Sequence, residues 1–240
     1  MIRNLLREFI GLSKRTLLGY DKNVLTFSQA GEDLVIRNFF YEKIAKGEPG
    51  LYLDVGAFHP YLHSNTFYLY RCGWQGINVD ARPGIKDLFD KHRPRDINIE
   101  SAVSIREGEI ELHCFDSEPT LNTVSKDYTQ LLGTENRISR TVLVPSTRLD
   151  VLLDRHLGKD RKIDFFSIDI EGGEVSALLS NDWDRFRSEL IAVEIYGKSL
   201  QDITDSDIAS LLLSRGYELF ARVILPSPNV NTAFFVDTAP

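Results

Sequence analysis

The chain has few cysteines, and this scarcity excludes two classes of protein. Only Cys72 and Cys114 occur among its 240 residues. Two cysteines cannot build the dense disulfide framework of a small secreted domain, and they leave a cysteine-based zinc site without its ligands. Because free cysteines are typical of a reducing compartment, we expect a cytoplasmic protein.

Long apolar runs and excess positive charge are also lacking. No stretch of 18 apolar residues is available for a transmembrane helix, and no short apolar segment is followed by the cleavage site of a signal peptide. The 28 Lys and Arg residues are outnumbered by 35 Asp and Glu residues, which gives a formal net charge of -7. This balance argues against a general nucleic-acid binder, so no nucleic-acid partner is expected.

Glycine is scarce at the position where it would be most informative. Residues 51–70, LYLDVGAFHPYLHSNTFYLY, predict a buried strand, an acidic residue at its carboxyl end, a turn and a helix, an order typical of nucleotide-cofactor sites. Only Gly56 stands where the dinucleotide motif G-x-G-x-x-G needs three glycines to admit a pyrophosphate. The pattern therefore favours a cofactor without a pyrophosphate. We expect Asp54 to face that ligand and 64–66 to begin the helix.

Length and composition fit one α/β domain with appendages. With 42% hydrophobic and 26% charged residues, the chain can bury a sizeable core. We expect an N-terminal helical extension at 1–26 and a main domain at 27–240. An irregular insertion at about 104–147 is either a substrate-binding loop or an edge hairpin.

The N-terminal extension combines basic residues with a run of apolar positions at helical spacing. One hypothesis is that residues 1–19 lie on an anionic membrane surface, which would place the protein at the inner face of the membrane. The other is that the helix packs on its own domain or on a partner subunit.

A second strand, 76–80, repeats the pattern of the first. It ends at Asp80, the position at which a βαβ unit holds a ribose hydroxyl, and Ala81 follows in the turn. A third strand at 98–103 brings Ala102 to the same edge, where a small apolar side chain suits an adenine ring. We therefore expect these three residues to contact a nucleoside.

Upstream of the first strand, Gln29 precedes a predicted helix with Glu32 and Asp33 in its first turn. Contact between Gln29 and the cofactor is one interpretation. Plain capping of the helix by Ser28, with the acidic pair near the positive helix end, explains the segment equally well.

Acidic residues gather at the ends of the fourth and fifth strands. The fourth, 163–170, is almost continuously apolar, as a central parallel strand should be, and it carries Asp169 with Glu171 just beyond it. The fifth, 191–196, carries Glu194. We expect these carboxylates to share one cleft with the acids of the first two strands, where like charges raise a pKa.

The last two strands, 217–223 and 232–236, are joined by a loop shorter than the dozen residues that a parallel crossover requires. They are therefore predicted to be antiparallel. A nicotinamide-binding sheet is parallel throughout in its usual form, so this end of the chain favours another class of sheet.

Five motifs taken together resemble the FkbM family of S-adenosylmethionine-dependent methyltransferases: SQAGED at 28–33, DVGA at 54–57, SNT at 64–66, GWQG at 73–76 and DFFSIDIEG at 164–172. The match runs from about 27 to 196. The resemblance implies an α/β, Rossmann-like class I methyltransferase sheet that is mostly parallel with an antiparallel last strand and helices on both faces. It also implies S-adenosylmethionine as cofactor and methylation of a hydroxyl, often on a sugar.

The resemblance further implies that Asp54, Gly56 and Ala57 hold the methionine end of the cofactor and that Asp80 holds its ribose. Asp80 stands where Glu is common in the family, and Gly173 stands where Ala is common. With the positions argued above, the predicted cofactor set is Gln29, Asp54, Gly56, Ala57, Asn65, Thr66, Asp80, Ala81, Ala102 and Asp169.

The expected mechanism is direct displacement, in which a substrate oxygen attacks the methyl group in line while the enzyme orients it and removes a proton. The candidate bases, in order of preference, are Glu171, Glu194 and Asp169, with His59 as the alternative. No metal site is predicted. A divalent cation on the three carboxylates is a weaker hypothesis, because no histidine stands at ligand spacing beside them.

The predicted function is therefore O-methylation of a small-molecule or glycan acceptor at a hydroxyl of a sugar, glycan or glycosylated natural product. Two alternatives stay open. An NAD(P)-dependent reductase would need the three-glycine turn and a Tyr followed by Lys four residues later, and no Tyr here has that Lys. A non-catalytic protein could keep the same fold, although the intact DVGA turn and Asp80 argue against it.

Overall fold

A computed structural model describes residues 25–157 and 161–239. The predicted N-terminal extension and its hypothetical membrane contact lie almost wholly outside these residues. Within the described part of the chain, no helix has the length and apolarity to cross a membrane.

The strands form one large sheet and one small one. In chain order they are β1 (Leu51–Val55), β2 (Gln75–Asp80), β3 (Ile97–Glu100), β4 (Ala102–Val103), β5 (Gly108–Cys114), β6 (Arg140–Thr147), β7 (Ile163–Ile168), β8 (Ser188–Tyr196), β9 (Tyr217–Ile224) and β10 (Val230–Asp237). The large sheet has the order β3-β2-β1-β7-β8-β10-β9, and the small sheet has the order β4-β6-β5.

The large sheet is parallel from β3 to β8. Strand β10 runs antiparallel to both of its neighbours, β8 and β9. The reversal follows from the short connection between β9 and β10, which a hairpin can make and a crossover cannot. The predicted mostly parallel sheet with a reversed strand is confirmed.

Helices cover both faces of this sheet, as expected. They are α1 (Glu32–Phe39), α2 (Tyr41–Ala45), α3 (Phe67–Arg71), α4 (Ile85–His92), α5 (Lys126–Leu131), α6 (Leu149–His156), α7 (Glu174–Leu179), α8 (Leu200–Thr204) and α9 (Asp207–Ser214).

Each face of the sheet has its own core, because successive strand residues point to opposite faces. Leu53 and Val55 of β1 pack in the core that includes α6, α7 and α9. Tyr52, the residue before Leu53, packs in the second core with residues of α1 and α3. Asp54 lies two residues after Tyr52 in the same strand, so its side chain points to the same face of the sheet as that of Tyr52.

The expected third strand is in fact two strands. Ile97–Glu100 completes the large sheet, whereas Ala102–Val103 pairs with β6 in the small sheet. The segment from 104 to 147 supplies the β5–β6 hairpin and α5. Helix α1 begins after Gly31, so Ser28 is not its N-cap residue. The Ser28 hydroxyl nevertheless accepts from the Asp33 amide in the first turn, at 3.2 Å, and donates to the Asp33 carboxylate, at 2.9 Å.

A fully buried guanidinium fixes the long turn between β1 and α3. Arg93, at the end of α4, donates to the carbonyl of Pro60 (2.7 Å), to the Ser64 hydroxyl (2.7 Å) and to the Thr66 hydroxyl (2.8 Å). Its charge is balanced by Asp96, whose carboxylate lies 4.0 Å away. Since hydrogen bonds to a buried charge are strong, this residue anchors the turn that forms one wall of the site.

Arg93→Met is expected to lower the free energy of unfolding by about 3–5 kcal/mol, because it leaves Asp96 buried without its partner charge. Urea denaturation measures the loss. Arg95→Met makes the same chemical change at an exposed position two residues away and should cost less than about 1 kcal/mol. Equal losses in the two variants would show that the buried network does not stabilise the fold.

Candidate active site

The carboxyl ends of the parallel strands open into a cavity of about 360 Å³, a size that accommodates a small ligand. The cavity contacts most of the residues predicted for the cofactor: Gln29, Gly56, Asn65, Asp80, Ala81, Ala102 and Asp169. It also contacts Glu171 and Glu194, two of the candidate bases. The topology therefore brings these residues together at one edge of the sheet.

At Gly56 the turn after β1 comes into close contact with the backbone at the end of β7. The Gly56 φ of 83° lies in the left-handed region, and a Cβ there would be 1.6 Å from the carbonyl oxygen of Asp169. No other residue fits, since the obstacle is backbone. The turn after β1 and the end of β7 are thus packed directly against each other, and Asp169 is placed beside the first glycine turn.

Asp80 ends β2 and faces the cavity. One of its carboxylate oxygens accepts from the Phe58 amide at 2.8 Å and from the Arg82 side chain at 3.2 Å, and the other accepts from the backbone and the side chain of Arg82 at 2.9 and 3.1 Å. A carboxylate has about four lone-pair sites, so a ligand hydroxyl binds here by replacing one of these bonds, of which the 3.2 Å contact is the longest. Arg82 orients the carboxylate.

Three predicted cofactor residues lie behind the cavity wall instead of lining it. The Asp54 carboxylate accepts from the Thr66 hydroxyl at 2.6 Å, on the side of the sheet that carries Tyr52. Ala57 packs against residues of α4. The expectation that Asp54 is hydrogen-bonded by ligand and not by the core is therefore corrected. Burial raises the pKa of Asp54 to about 6, against the opposing effects of Thr66 and Arg93.

His59 also lies away from the cavity lining. Its Nδ1 accepts from the backbone amides of Tyr61 (3.3 Å) and Leu62 (3.2 Å), so the imidazole closes the turn that follows it. Burial and the nearby Arg82 lower its pKa. The structure thus favours the capping role for His59, which the sequence could not separate from a catalytic one.

Three carboxylates converge beyond the ends of β7 and β8. Asp169, Glu174 and Glu194 each offer an oxygen, and these oxygens lie within 4.8 Å of one another. Glu194 is only 7% exposed. Burial, followed by the neighbouring carboxylates, raises the pKa of Asp169 to about 7 and that of Glu194 well above its ordinary value.

Glu174 is a site residue that sequence reasoning missed. It begins α7, and its two oxygens accept from the amides of Ile170 (2.8 Å) and Gly172 (3.0 Å), which fold the turn around it. The signal in the sequence was the spacing Asp-x-Glu-Gly-Gly-Glu, which puts a third acid within one turn of the strand end.

Glu171 adopts a left-handed backbone conformation, with φ of 54°, and its side chain is held by a tyrosine. The Tyr128 hydroxyl is hydrogen-bonded to the Glu171 carboxylate and to the Tyr196 hydroxyl. Burial and then Asp169 raise the pKa of Glu171 to about 9. Because Tyr128 belongs to α5, the insertion is part of the site, a contact that no local sequence pattern could reveal.

The fold and the cleft define an α/β enzyme that binds its ligand at the carboxyl ends of parallel strands. The family model described as the methyltransferase FkbM domain matches residues 54–219. This match covers more than half of the chain, and the chain therefore belongs to the FkbM methyltransferase family. It is an S-adenosylmethionine-dependent methyltransferase, which disfavours both alternatives left open by the sequence. None of the curated proteins matches it.

Several solved structures are similar in overall form. The methyltransferase domain of METTL16 shares 10% identity at a TM-score of 0.48, covering 92% of this chain and 71% of that one. A TehB-like methyltransferase from Corynebacterium glutamicum shares 13% identity at a TM-score of 0.42, covering 96% of this chain and 97% of that one. The 1,6-didemethyltoxoflavin N1-methyltransferase of Burkholderia thailandensis shares 10% identity at a TM-score of 0.44, covering 99% of this chain and 89% of that one. All three scores are below 0.5, so the family assignment rests on the family match alone.

The pKa of Asp54 gives a prediction for stability against pH. Because the pKa of about 6 in the folded state exceeds the ordinary value of 3.8, the folded state binds more protons between these values, and stability falls as pH rises through 6. Asp54→Asn removes this loss. The melting temperature of the variant minus that of the wild type should rise by several degrees between about pH 4 and pH 7, since two pKa units correspond to about 3 kcal/mol.

The matched control is Asp90→Asn, at a surface carboxyl whose pKa is lowered by Lys86. Its difference curve should stay flat over the same range. A flat curve for Asp54→Asn as well would mean that Asp54 titrates normally in the folded protein.

Proposed function

We propose that this methyltransferase acts on a hydroxyl of a sugar, glycan or glycosylated natural product. The observation that carries the proposal is the carboxylate of Glu171, which lines the cavity and is held in place by Tyr128. A sugar hydroxyl is a weak acid, and its methylation gains from a positioned base. An acceptor that is already a good nucleophile would have less use for one.

The described residues fit S-adenosylmethionine. Ala81 and Ala102 offer small apolar surface for an adenine, Asp80 offers acceptors for ribose hydroxyls, and Gln29 and Asn65 offer polar groups near Gly56 for the amino-acid end. When bound, the cofactor supplies a methyl group on a positively charged sulfur. The carboxylates at the ends of β7 and β8 favour a positive charge in this cavity.

The lining from the insertion supports a polyhydroxylated acceptor. Thr120, Asn122, Thr134 and Arg137 line the same cavity and offer both donors and acceptors, while the Tyr128 ring adds an apolar surface. Sequence reasoning left this segment as either a loop for substrate or an edge hairpin. We assign both roles to this segment. Strands β5 and β6 form the hairpin, and residues 119–137 make the contacts with the acceptor.

In the proposed reaction the acceptor oxygen is oriented between Glu171 and the methyl donor. Since the pKa of Glu171 is about 9, its carboxylate is ionised in only a minor fraction of the molecules at neutral pH, and turnover should rise with pH. In the ionised form it takes the hydroxyl proton as a bond forms between the oxygen and the methyl carbon. The bound cofactor would supply the methyl group with the electron pair of the carbon–sulfur bond retained by sulfur. The hydroxyl of Tyr128 holds the carboxylate in position for the transfer, as a positioning residue.

Cellular location and partners follow from the same proposal. We propose that the enzyme works in the cytoplasm on a small-molecule or glycan acceptor and has no nucleic-acid partner. The free cysteines Cys72 and Cys114 and the acidic net charge of -7 support these assignments.

Asp80→Asn is expected to weaken binding of S-adenosylhomocysteine about tenfold or more, because a charge-assisted hydrogen bond to the ribose is lost. Isothermal titration calorimetry measures the affinity. Asp54→Asn is the matched control, since its carboxylate faces Thr66 and not the cavity, and its affinity should change by less than about threefold. A larger loss of affinity in Asp54→Asn than in Asp80→Asn would place the ribose contact at Asp54.

Glu171→Gln is expected to lower turnover by about 10² or more while cofactor affinity is kept, because the amide cannot take the hydroxyl proton. Transfer of tritiated methyl groups to a panel of nucleotide sugars and methyl glycosides provides the assay. Glu109→Gln makes the same change at an exposed position of β5 and should leave turnover intact.

Normal turnover in Glu171→Gln, with loss in Glu194→Gln, would move the base to Glu194. Transfer to amines with none to any hydroxyl in the panel would contradict the proposed acceptor class.

A further inference from the structure

We propose that Asp169, Glu174 and Glu194 form a binding site for one divalent cation that prefers oxygen ligands, such as Mg²⁺ or Mn²⁺. Their three oxygens lie within 4.8 Å of one another. Carboxylate oxygens are the ligands these ions prefer. The set differs from the one considered on sequence alone, because Glu174 takes the place of Glu171, whose carboxylate is hydrogen-bonded to Tyr128.

A second observation points to a missing ligand. The Oε2 atom of Glu194 is buried, and no N–H or hydroxyl of the described residues donates to it; the neighbouring Asp169 carboxylate bonds to Glu194 only when one of the two carries a proton. Glu194 contacts the same cavity as Asp169. A buried carboxylate oxygen without a partner is costly, since folding removes its water and gives nothing in return. A cation between these two side chains would satisfy it.

The described residues that line the cavity supply no unpaired arginine or lysine charge to balance the three acids. Among the described residues that line the cavity, the cationic ones are Arg82 and Arg137. Arg82 is paired with Asp80, and Arg137 is paired with Glu118. Both cations are therefore engaged away from the cluster, and the charge of the cluster is left for a ligand to neutralise.

In octahedral coordination at most one pair of three ligand oxygens lies on opposite sides of Mg²⁺, about 4.2 Å apart, and the other pairs are about 3.0 Å apart. Oxygens within 4.8 Å of one another therefore reach this geometry by moving closer together as the ion binds. The backbone amides of Ile170 and Gly172 already orient Glu174. Three protein ligands leave coordination positions open toward the cavity.

The chemical consequence concerns the acceptor. A cation at this point would hold the acceptor hydroxyl and ease its deprotonation by Glu171, as bound metals do for water. This consequence rests on the proposed function, whereas binding of the ion does not. The test therefore measures the ion alone, without methyl donor or acceptor.

Full-length protein, freed of metal with a chelator and dialysed, is titrated with MnCl₂ by calorimetry, and bound Mn²⁺ is followed by electron paramagnetic resonance. The proposal requires one site per chain and a loss of affinity of about tenfold or more in Glu194→Gln. Asp169→Asn is the second variant and serves if the first fails to fold.

Glu171→Gln is the matched control, because it makes the same change from carboxyl to amide in the same cleft and leaves the three ligand oxygens in place. Its affinity for Mn²⁺ should change by no more than about threefold. Absence of Mn²⁺ binding in the wild type overturns the proposal, as does an equal loss in all variants, which would indicate diffuse attraction. Either result leaves the methyl transfer assay unaffected, so the two proposals fail separately.

Discussion

The contact between the turn after β1 and the end of β7 is the constraint on which the site depends. Gly56 lies so close to the Asp169 carbonyl that a side chain is impossible there. This contact joins the two halves of the parallel sheet at their carboxyl ends. Asp80 on one side and the acidic cluster on the other thus face a single cavity and not two separate grooves.

The acidic cluster is costly, and much of the surrounding structure offsets that cost. Backbone amides hold Glu174, and the Tyr128 hydroxyl holds Glu171. Burial, followed by a neighbouring carboxylate (Glu174 for Asp169, and Asp169 for Glu194), raises the pKa values of Asp169 and Glu194. Natural proteins keep such clusters where function needs them, since replacement by apolar residues is often stabilising. A bound cation, whether a sulfonium or a metal ion, explains why the acids are gathered here.

The sequence predicts the parts of the site that depend on strand order and glycine turns. Gly56, Asp80 and Asp169 follow from the pattern of strand, acid and turn, and the reversed β10 follows from the short loop before it. Asp54 and His59 were placed differently because a strand pattern does not say which face of the sheet meets the ligand.

Other features depend on contacts between distant parts of the chain. Arg93 reaches the turn at 60–66 from another helix, and Tyr128 reaches Glu171 from the insertion. No local periodicity encodes such contacts, and a single sequence shows only that the residue types are present. The sequence indicated an irregular insertion at about 104–147, but only the fold shows that its residues line the cavity.

The central claim is that the cofactor lies between Gly56 and Asp80, with its sulfur toward the acids that follow β7. A crystal structure of the protein with S-adenosylhomocysteine tests this most directly. The account predicts ribose hydroxyls on Asp80, the adenine beside Ala81 and Ala102, and the sulfur on the side of Asp169. An adenosyl group bound elsewhere, or a ribose held by Asp54 after a rotation of its side chain, would contradict it.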